Sequence, residues 1–207
     1  MKGAGAREDW RERAGACGVA CARRKTRLRV MNLTSPAQFR FHEGRALGLE
    51  LCAAPGLAWL LPRIAARLAD VYGRRVSCVV DAQPKGVTPA ALDAYSGAAD
   101  VNTLLAGLSS GRQTARLWVV DHHLSHGLHV RLGGVSGDGT ALVSAKWAGP
   151  EGAVSIAAHE VGHLLGLAHC RRACLMHPVH TPAAALRRTT RLCASCVQQL
   201  EGIIEIS

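Results

Sequence analysis

Five residues within one short stretch, His159, Glu160, His163, Gly166 and His169, have the types and the spacing to do metal chemistry. On a helix, His159 and His163 lie four residues apart on one face, about one turn from each other, so both imidazoles reach a single ion. Gly166 can take a positive φ, end the helix and reverse the chain, which returns His169 as a third nitrogen ligand. Three neutral imidazoles leave the fourth position of a tetrahedral zinc open to water, the arrangement of a catalytic rather than a structural site. Zinc lowers the pKa of such a water to roughly 7 and polarises a carbonyl, while Glu160, adjacent to the ligands, accepts the water proton and passes it to a leaving amine. The implied chemistry is metal-assisted hydrolysis of peptide bonds. One histidine alone is more often a core or surface residue, but five positions in register form a specific signature.

A second group follows at once. Cys170 and Cys174, then Cys193 and Cys196 after an intervening loop, are two close pairs in the form of a four-cysteine zinc site. Four thiolates close the coordination shell, so this ion is expected to be structural and to staple the C-terminal segment under the active-site helix. His169 and Cys170, though consecutive, can serve different ions because neighbouring side chains of an extended stretch point opposite ways. Two disulfides are the alternative, disfavoured by the lack of a secretory signal. The small-residue run from Ala14 to Ala22 has no Leu or Ile, follows acidic residues and precedes Arg23-Arg24-Lys25, so secretion is rejected and a cytoplasmic location expected. Cys52 and Cys78 read as small core hydrophobes and Cys17 and Cys21 as incidental tail thiols.

The elements that must position these groups are legible in outline. Leu47, Leu49 and Leu51 alternate as in a half-buried strand. Pro62 suits a helix first turn, Ile64, Leu68 and Val71 make one apolar stripe, and Gly73 closes it. Val76 to Val80 and Leu117 to Val120 are short apolar strands, and Asp100 is placed to cap a helix through Leu108. The alternation of Leu128, Val130 and Leu132 predicts an edge strand. Gly133-Gly134 and Gly137-Asp138-Gly139 read as the turn, and Thr140 to Trp147 as the return strand. Ala157, Val161, Leu164 and Leu165 make residues 153–165 the best-supported helix. The sum is an α/β (α+β) layered domain.

Composition narrows the class. The chain has 207 residues, 48% hydrophobic and 4% aromatic, with 25 basic and 15 acidic side chains and a net charge of +10. It is apolar enough for one folded domain and has no run of about 20 apolar residues to span a membrane. Residues 1–30 hold nine bases and three acids, so most of the charge excess sits in an N-terminal segment. Residues 1–44 are expected to be a disordered basic tail, and residues 45–207 the folded domain, with subdomains 45–165 and 166–207.

From His159-Glu-x-x-His163-x-x-Gly166-x-x-His169-Cys170 through Cys174-x-Met176 to Cys193-x-x-Cys196, the chain resembles the archaemetzincins, a metzincin branch of zinc metalloproteases. The Gly-rich stretch and the strand Thr140 to Ser144 before the helix are similar to the family's as well. The resemblance is sharp over residues 133–196 and diffuse over 45–132. It implies a metzincin-like zincin fold, a mixed twisted sheet with a backing helix, an active-site helix and a C-terminal four-cysteine subregion. It further implies two zinc ions, a catalytic one on His159, His163 and His169 with Glu160 as base, and a structural one on Cys170, Cys174, Cys193 and Cys196. Met176 is then the Met-turn residue, a floor under the catalytic zinc and not a ligand. The three residues between Cys170 and Cys174 are one fewer than in the family pattern.

Weaker signals remain. His122, His123, His126 and His129 could bind a further metal, but their alternation with Leu124, Leu128 and Val130 suits a loop and an outward-facing edge strand at the rim of the cleft. There a substrate backbone could add as a strand beside His129 or Arg131. No tyrosine follows Met176, leaving His177 and His180 as candidate second donors to a transition state. Arg171, Arg172, Arg187, Arg188 and Arg191 could favour acidic substrates, although solvated arginines are the commoner case. The primary expectation is a monomeric zinc-dependent peptidase acting on a peptide or protein substrate, with no nucleic-acid or membrane partner. The alternatives are a zinc-stabilised peptide-binding protein of little turnover and, last, a nucleic-acid-binding zinc protein, which the scarcity of aromatics disfavours.

Overall fold

The computed structural model describes residues 46–108, 114–127, 129–135, 138–187 and 189–205. The basic segment with Cys17 and Cys21, and also Leu128, Gly137 and Arg188, lie outside the described residues.

In chain order the elements are β1 (Leu47–Ala53), α1 (Leu61–Tyr72), β2 (Val76–Val80), β3 (Ala99–Asp100), α2 (Val101–Leu108), β4 (Ala115–Val120), β5 (Leu124–His126), β6 (His129–Arg131), β7 (Gly133–Val135), β8 (Thr140–Ser144), α3 (Ala145–Leu164), α4 (Pro182–Leu186) and α5 (Ala194–Glu205). The main sheet has the order β2-β1-β4-β8-β7, and a small second sheet the order β3-β5-β6. The first four strands of the main sheet run parallel, with Leu51 opposite Val80 and Leu117, and Leu117 opposite Ala141. The edge strand β7 is antiparallel, with Gly133 opposite Val143. This is the expected mixed α/β architecture.

Alternation along the strands sends side chains to two cores. Leu49, Leu51, Leu117, Val119, Ala141 and Val143 pack with Leu61, Ile64, Leu68 and Tyr72 of α1 and Ile156, Ala157 and Val161 of α3. On the other face Cys52, Trp118, Val120 and Leu142 pack with Val101, Leu104 and Leu105 of α2. Both faces being covered, β4 and β8 are buried along their whole length, which a parallel sheet between helical layers requires. One charge pair is built into that sheet. Glu50 lies opposite Arg116 and accepts from its Nε at 2.9 Å and its Nη2 at 2.7 Å, so the buried guanidinium is matched only in this register of β1 on β4. Cys52 is fully buried and Cys78 partly so, and burial pushes both thiols up, Cys52 to about 11.

The local signals that delimit helices act as expected. Pro62 lies in the first turn of α1, and Gly73 ends it at φ 57°. Asp100 Oδ1 accepts from the Thr103 backbone N–H at 2.8 Å at the start of α2. Two expectations around β7 fail. The stretch containing Val130 does not pair with the strand from Thr140. Instead β6 joins β5 in the small sheet, and Gly133-Gly134, read as a turn, is the start of the edge strand of the main sheet. A period-two pattern shows that a segment is extended but not which sheet receives it, and here the chain crosses between sheets at Leu132. The return strand also stops at Ser144 rather than Trp147. The Ser144 hydroxyl accepts from the Trp147 N–H at 3.3 Å, capping α3, and donates to the His122 carbonyl at 2.7 Å. The helix that carries His159 and His163 therefore begins well before residue 153. It breaks at Gly149 (φ 68°, ψ 175°) and resumes at Pro150, a residue preorganised for a helix first turn. Among the described residues, no helix is long and apolar enough to cross a membrane.

Candidate metal centre

α3 ends as the glycine at 166 requires. Gly166 has φ 88°, its N–H bonds the His163 carbonyl at 3.0 Å, and the Leu167 N–H bonds the Gly162 carbonyl at 2.9 Å. These are the paired bonds of a Schellman motif, and they fold the chain back so that His169 meets the helix face it has just left.

The three histidines converge. Their candidate ligand atoms all lie within 4.8 Å of one another, with ring centroids 4.6 Å apart for His159 with His163, 4.6 Å for His163 with His169 and 5.3 Å for His159 with His169. Each helical imidazole is held from behind. His159 Nδ1 lies 2.9 Å from the Leu175 carbonyl and His163 Nδ1 2.8 Å from the Leu167 carbonyl. A carbonyl oxygen only accepts, so each Nδ1 carries a proton, and in the neutral ring that leaves Nε2 with a lone pair. The two Nε2 atoms stand 3.1 Å apart, facing. Two lone pairs at that distance repel unless a proton or a metal ion lies between them, and tetrahedral zinc at Zn–N of about 2.0–2.1 Å sets its nitrogens about 3.3 Å apart. The donor set, the fixed tautomers and the spacing fit zinc. His159 is buried, His163 half-buried and His169 exposed, so the centre opens to solvent on the His169 side.

Glu160 is buried, and a position in the edge strand defines its place. A Cβ added at Gly133 would sit 2.7 Å from Glu160 Oε1 and 2.7 Å from the Leu142 carbonyl, so the carboxylate rests directly on the backbone of β7. Gly162 makes the matching concession inside the helix. A Cβ there would run into Met176 Sδ and stand 2.8 Å from the Tyr72 hydroxyl, which itself donates to the Ala158 carbonyl at 2.6 Å. Met176 thus lies fully buried against the helix at the turn that carries His159 and His163. Gly133, Gly162, Tyr72 and the carbonyls of Leu167 and Leu175 were not foreseen from sequence. The one available signal was Gly162, since glycine inside a helix costs about 1 kcal/mol against alanine and implies a packing reason.

Cys170, Cys174, Cys193 and Cys196 form the second cluster. The Sγ separations are 3.6 Å for Cys174 with Cys196, and 3.7 Å for both Cys170 with Cys193 and Cys193 with Cys196. A disulfide needs about 2.05 Å, whereas a tetrahedral zinc at Zn–S of about 2.3 Å places its sulfurs about 3.75 Å apart. All four thiols are free, so the disulfide alternative is set aside and the donors fit a zinc. The short Cys170 to Cys174 gap does not prevent closure. The Cys196 backbone N–H, with the neighbouring thiols, holds the Cys193 thiol down at about 6, while burial pushes Cys196 up. The Cys193 N–H bonds Cys174 Sγ at 3.2 Å and the Arg172 N–H bonds Cys170 Sγ at 3.5 Å, backbone support of the kind that orients metal thiolates.

The remaining candidates fall elsewhere. Among the described residues, His122, His123, His126 and His129 make no group of this kind, and the Asn102 amide donates to His126 Nδ1 at 3.1 Å. β6, with His129 and Arg131, is the outer strand of the small sheet, so the main-sheet edge nearest Glu160 is β7 instead. His177 Nδ1 is tied to the Cys170 carbonyl at 3.1 Å, and His180 is exposed.

Residues 152–202 match the model of peptidase family M54. The fold is similar to an archaemetzincin from Methanopyrus kandleri at 21% identity, over 80% of this chain and 99% of that one, with a TM-score of 0.66. It is similar to a zinc-dependent peptidase from Methanocorpusculum labreanum at 20% identity, over 74% and 100%, with a TM-score of 0.64. An archaemetzincin from Archaeoglobus fulgidus matches at 18% identity, over 73% and 99%, with a TM-score of 0.63. Comparison with curated proteins gave no match. The fold of this chain is that of the archaemetzincins, and its residues 152–202 carry the pattern of peptidase family M54.

Proposed function

We propose that the protein is a zinc metallopeptidase that cleaves peptides or short unfolded protein segments. The observation that carries this reading is the convergence of His159, His163 and His169, with the first two Nε2 atoms 3.1 Å apart, each Nδ1 held by a carbonyl behind it, and the Glu160 carboxylate adjacent in the chain. His159, His163 and His169 would hold the ion. When bound, zinc supplies a Lewis acid that acidifies water and polarises a peptide carbonyl. Glu160 acts as the base that takes the proton of the attacking water and returns it to the leaving amine. Burial and the close backbone of β7 keep that carboxylate in one position, so little reorganisation is needed when the proton moves. Met176 and Tyr72 brace the helix below the histidines. The four cysteines would hold a second, structural zinc, and a reducing cytoplasmic setting suits their free thiols. The reading assigns a peptide or protein substrate to a monomer, with no nucleic acid or membrane involved.

Elemental analysis of the purified protein should give two zincs per chain, and the zinc-loaded protein should cut a mixed peptide library. Chelation should stop cleavage and added zinc should restore it. A fully zinc-loaded protein that releases no product would overturn the peptidase reading.

Gly133→Ala tests the seat of the base. The added methyl would sit 2.7 Å from the Leu142 carbonyl as well as from Glu160 Oε1, so β7 must shift against β8 and the carboxylate that rests on it shifts too. Turnover should fall about a hundredfold, the scale of a 1 Å misplacement, with zinc content unchanged. Unaltered turnover would mean that the carboxylate need not rest on β7.

A further inference from the structure

The stretch that leaves the active-site helix, residues 166–193, contains five arginines and no acidic residue. Arg171 and Arg172 follow His169 by two and three positions, and both are exposed. Their backbone is anchored, because the Arg172 N–H bonds Cys170 Sγ and the Cys170 N–H bonds the Met176 carbonyl at 2.8 Å. Arg131 ends β6 two positions before Gly133, the residue on which Glu160 rests, and its Nε is buried without a hydrogen-bond partner among the described residues. Arg63, Arg67, Arg75 and Arg116 each face a carboxylate, whereas none of Arg131, Arg171 and Arg172 has an acidic partner among the described residues. Cations without a carboxylate partner, carried within a few residues of the groups that line a solvent-open centre, favour an anionic ligand there, and a guanidinium pairs with a carboxylate through two parallel N–H bonds.

We propose that the centre selects peptides with an acidic side chain beside the cleaved bond, and that Arg131, Arg171 and Arg172 are the residues that read it. The proposal rests on the metallopeptidase reading. A nucleic-acid strand is the less suitable anion, because the chain is only 4% aromatic and offers few stacking platforms for bases.

The test uses the full-length zinc-loaded protein and three fluorescein-labelled decapeptides, identical except for Glu, Gln or Lys on both sides of one bond. Two quantities are measured, kcat/KM of cleavage and, by fluorescence anisotropy, binding to the Glu160→Gln protein. The Glu peptide should exceed the Gln peptide by about tenfold in both at low salt, and the margin should shrink as the Debye length falls to about 3 Å at 1 M salt. Arg171→Glu with Arg172→Glu should turn the preference toward the Lys peptide, and Arg131→Gln should reduce it with the melting temperature and zinc content retained. Arg187→Glu is the control for net charge. It follows α4, which packs on the helix at Gly152, two turns before His159, and it should leave the ratio unchanged.

Cleavage of all three peptides at one rate, or an equal loss from Arg187→Glu, would overturn the proposal and leave the peptidase reading standing. Binding of the Glu peptide in preference, with no peptide cut by the native protein, would support carboxylate recognition and overturn the peptidase reading instead. A single-stranded oligonucleotide that binds more tightly than the Glu peptide and displaces it would overturn the proposal in favour of nucleic acid.

Discussion

Under the proposed metallopeptidase reading, Glu160→Gln is expected to lower peptide cleavage by about 10²–10⁴-fold, the contribution of a positioned general base, while leaving the zinc content unchanged. The substitution suits the test because the amide has nearly the shape of the carboxylate. Glu160 is buried, and its Oε1 fits into the space that Gly133 leaves by having no side chain, so a smaller residue would open a gap and blur the result. Glutamine keeps the packing and removes only the proton-accepting charge. His159 and His163 are oriented by the Leu175 and Leu167 carbonyls, so their hold on a zinc would not depend on Glu160. Single-turnover cleavage and zinc analysis of the same sample give the two readouts. Loss of turnover with zinc retained supports the assigned base, and cleavage within a few-fold of the native rate would remove Glu160 from that role. The same pair of proteins separates an enzyme from a peptide-binding protein with little turnover, for which neither form releases product.

The parts of the site that sequence reading found are those set by short-range rules. Two histidines four apart on a helix, a glycine three positions later and a third histidine obey local geometry, and the Schellman turn at Gly166 executes it. The four cysteines were found for the same reason, since ligand spacing within each pair is a local property. The fold class also followed from local patterns, because Leu47, Leu49 and Leu51, or Val161 and Leu164, need only their own periodicity to be read. What escaped was whatever depends on contacts distant in sequence. Tyr72 braces α3 at Ala158, and nothing in the stripe of α1 distinguishes it from another core residue. Gly133-Gly134 has the composition of a turn, yet the pair forms an edge strand because glycine alone admits the Glu160 carboxylate so close to the sheet. The start of α3 was hidden by Gly149 and Pro150, ordinarily signs of a loop, which here mark a kink between two helical pieces.

If the four cysteines hold a structural zinc as proposed, Cys174→Ser is expected to cost that ion and, through it, most of the grip on a zinc at the histidines. Cys174 is buried, its Sγ stands 3.6 Å from Cys196 and accepts the Cys193 N–H, so its loss removes a ligand and one tie between the two cysteine pairs. A serine hydroxyl is nearly the same size but does not ionise near neutral pH, and an apparent 10–16 kcal/mol of folding free energy typically rests on a structural zinc. The next residue carries the effect to the histidines. Leu175 donates its N–H to the Arg191 carbonyl at 2.8 Å and offers its own carbonyl to His159 Nδ1, and Met176 after it packs under Gly162. Residues 174–176 are therefore shared by both clusters, and loosening them releases the group that fixes the tautomer of His159. Losing such an outer partner typically weakens metal binding about 10–100-fold. Zinc stoichiometry after gel filtration should fall below one per chain, and amide exchange at Leu175 and Cys193 should accelerate together. Retention of one full zinc equivalent with native cleavage would show the two centres to be independent, because a ligand lost at one would then leave the other intact.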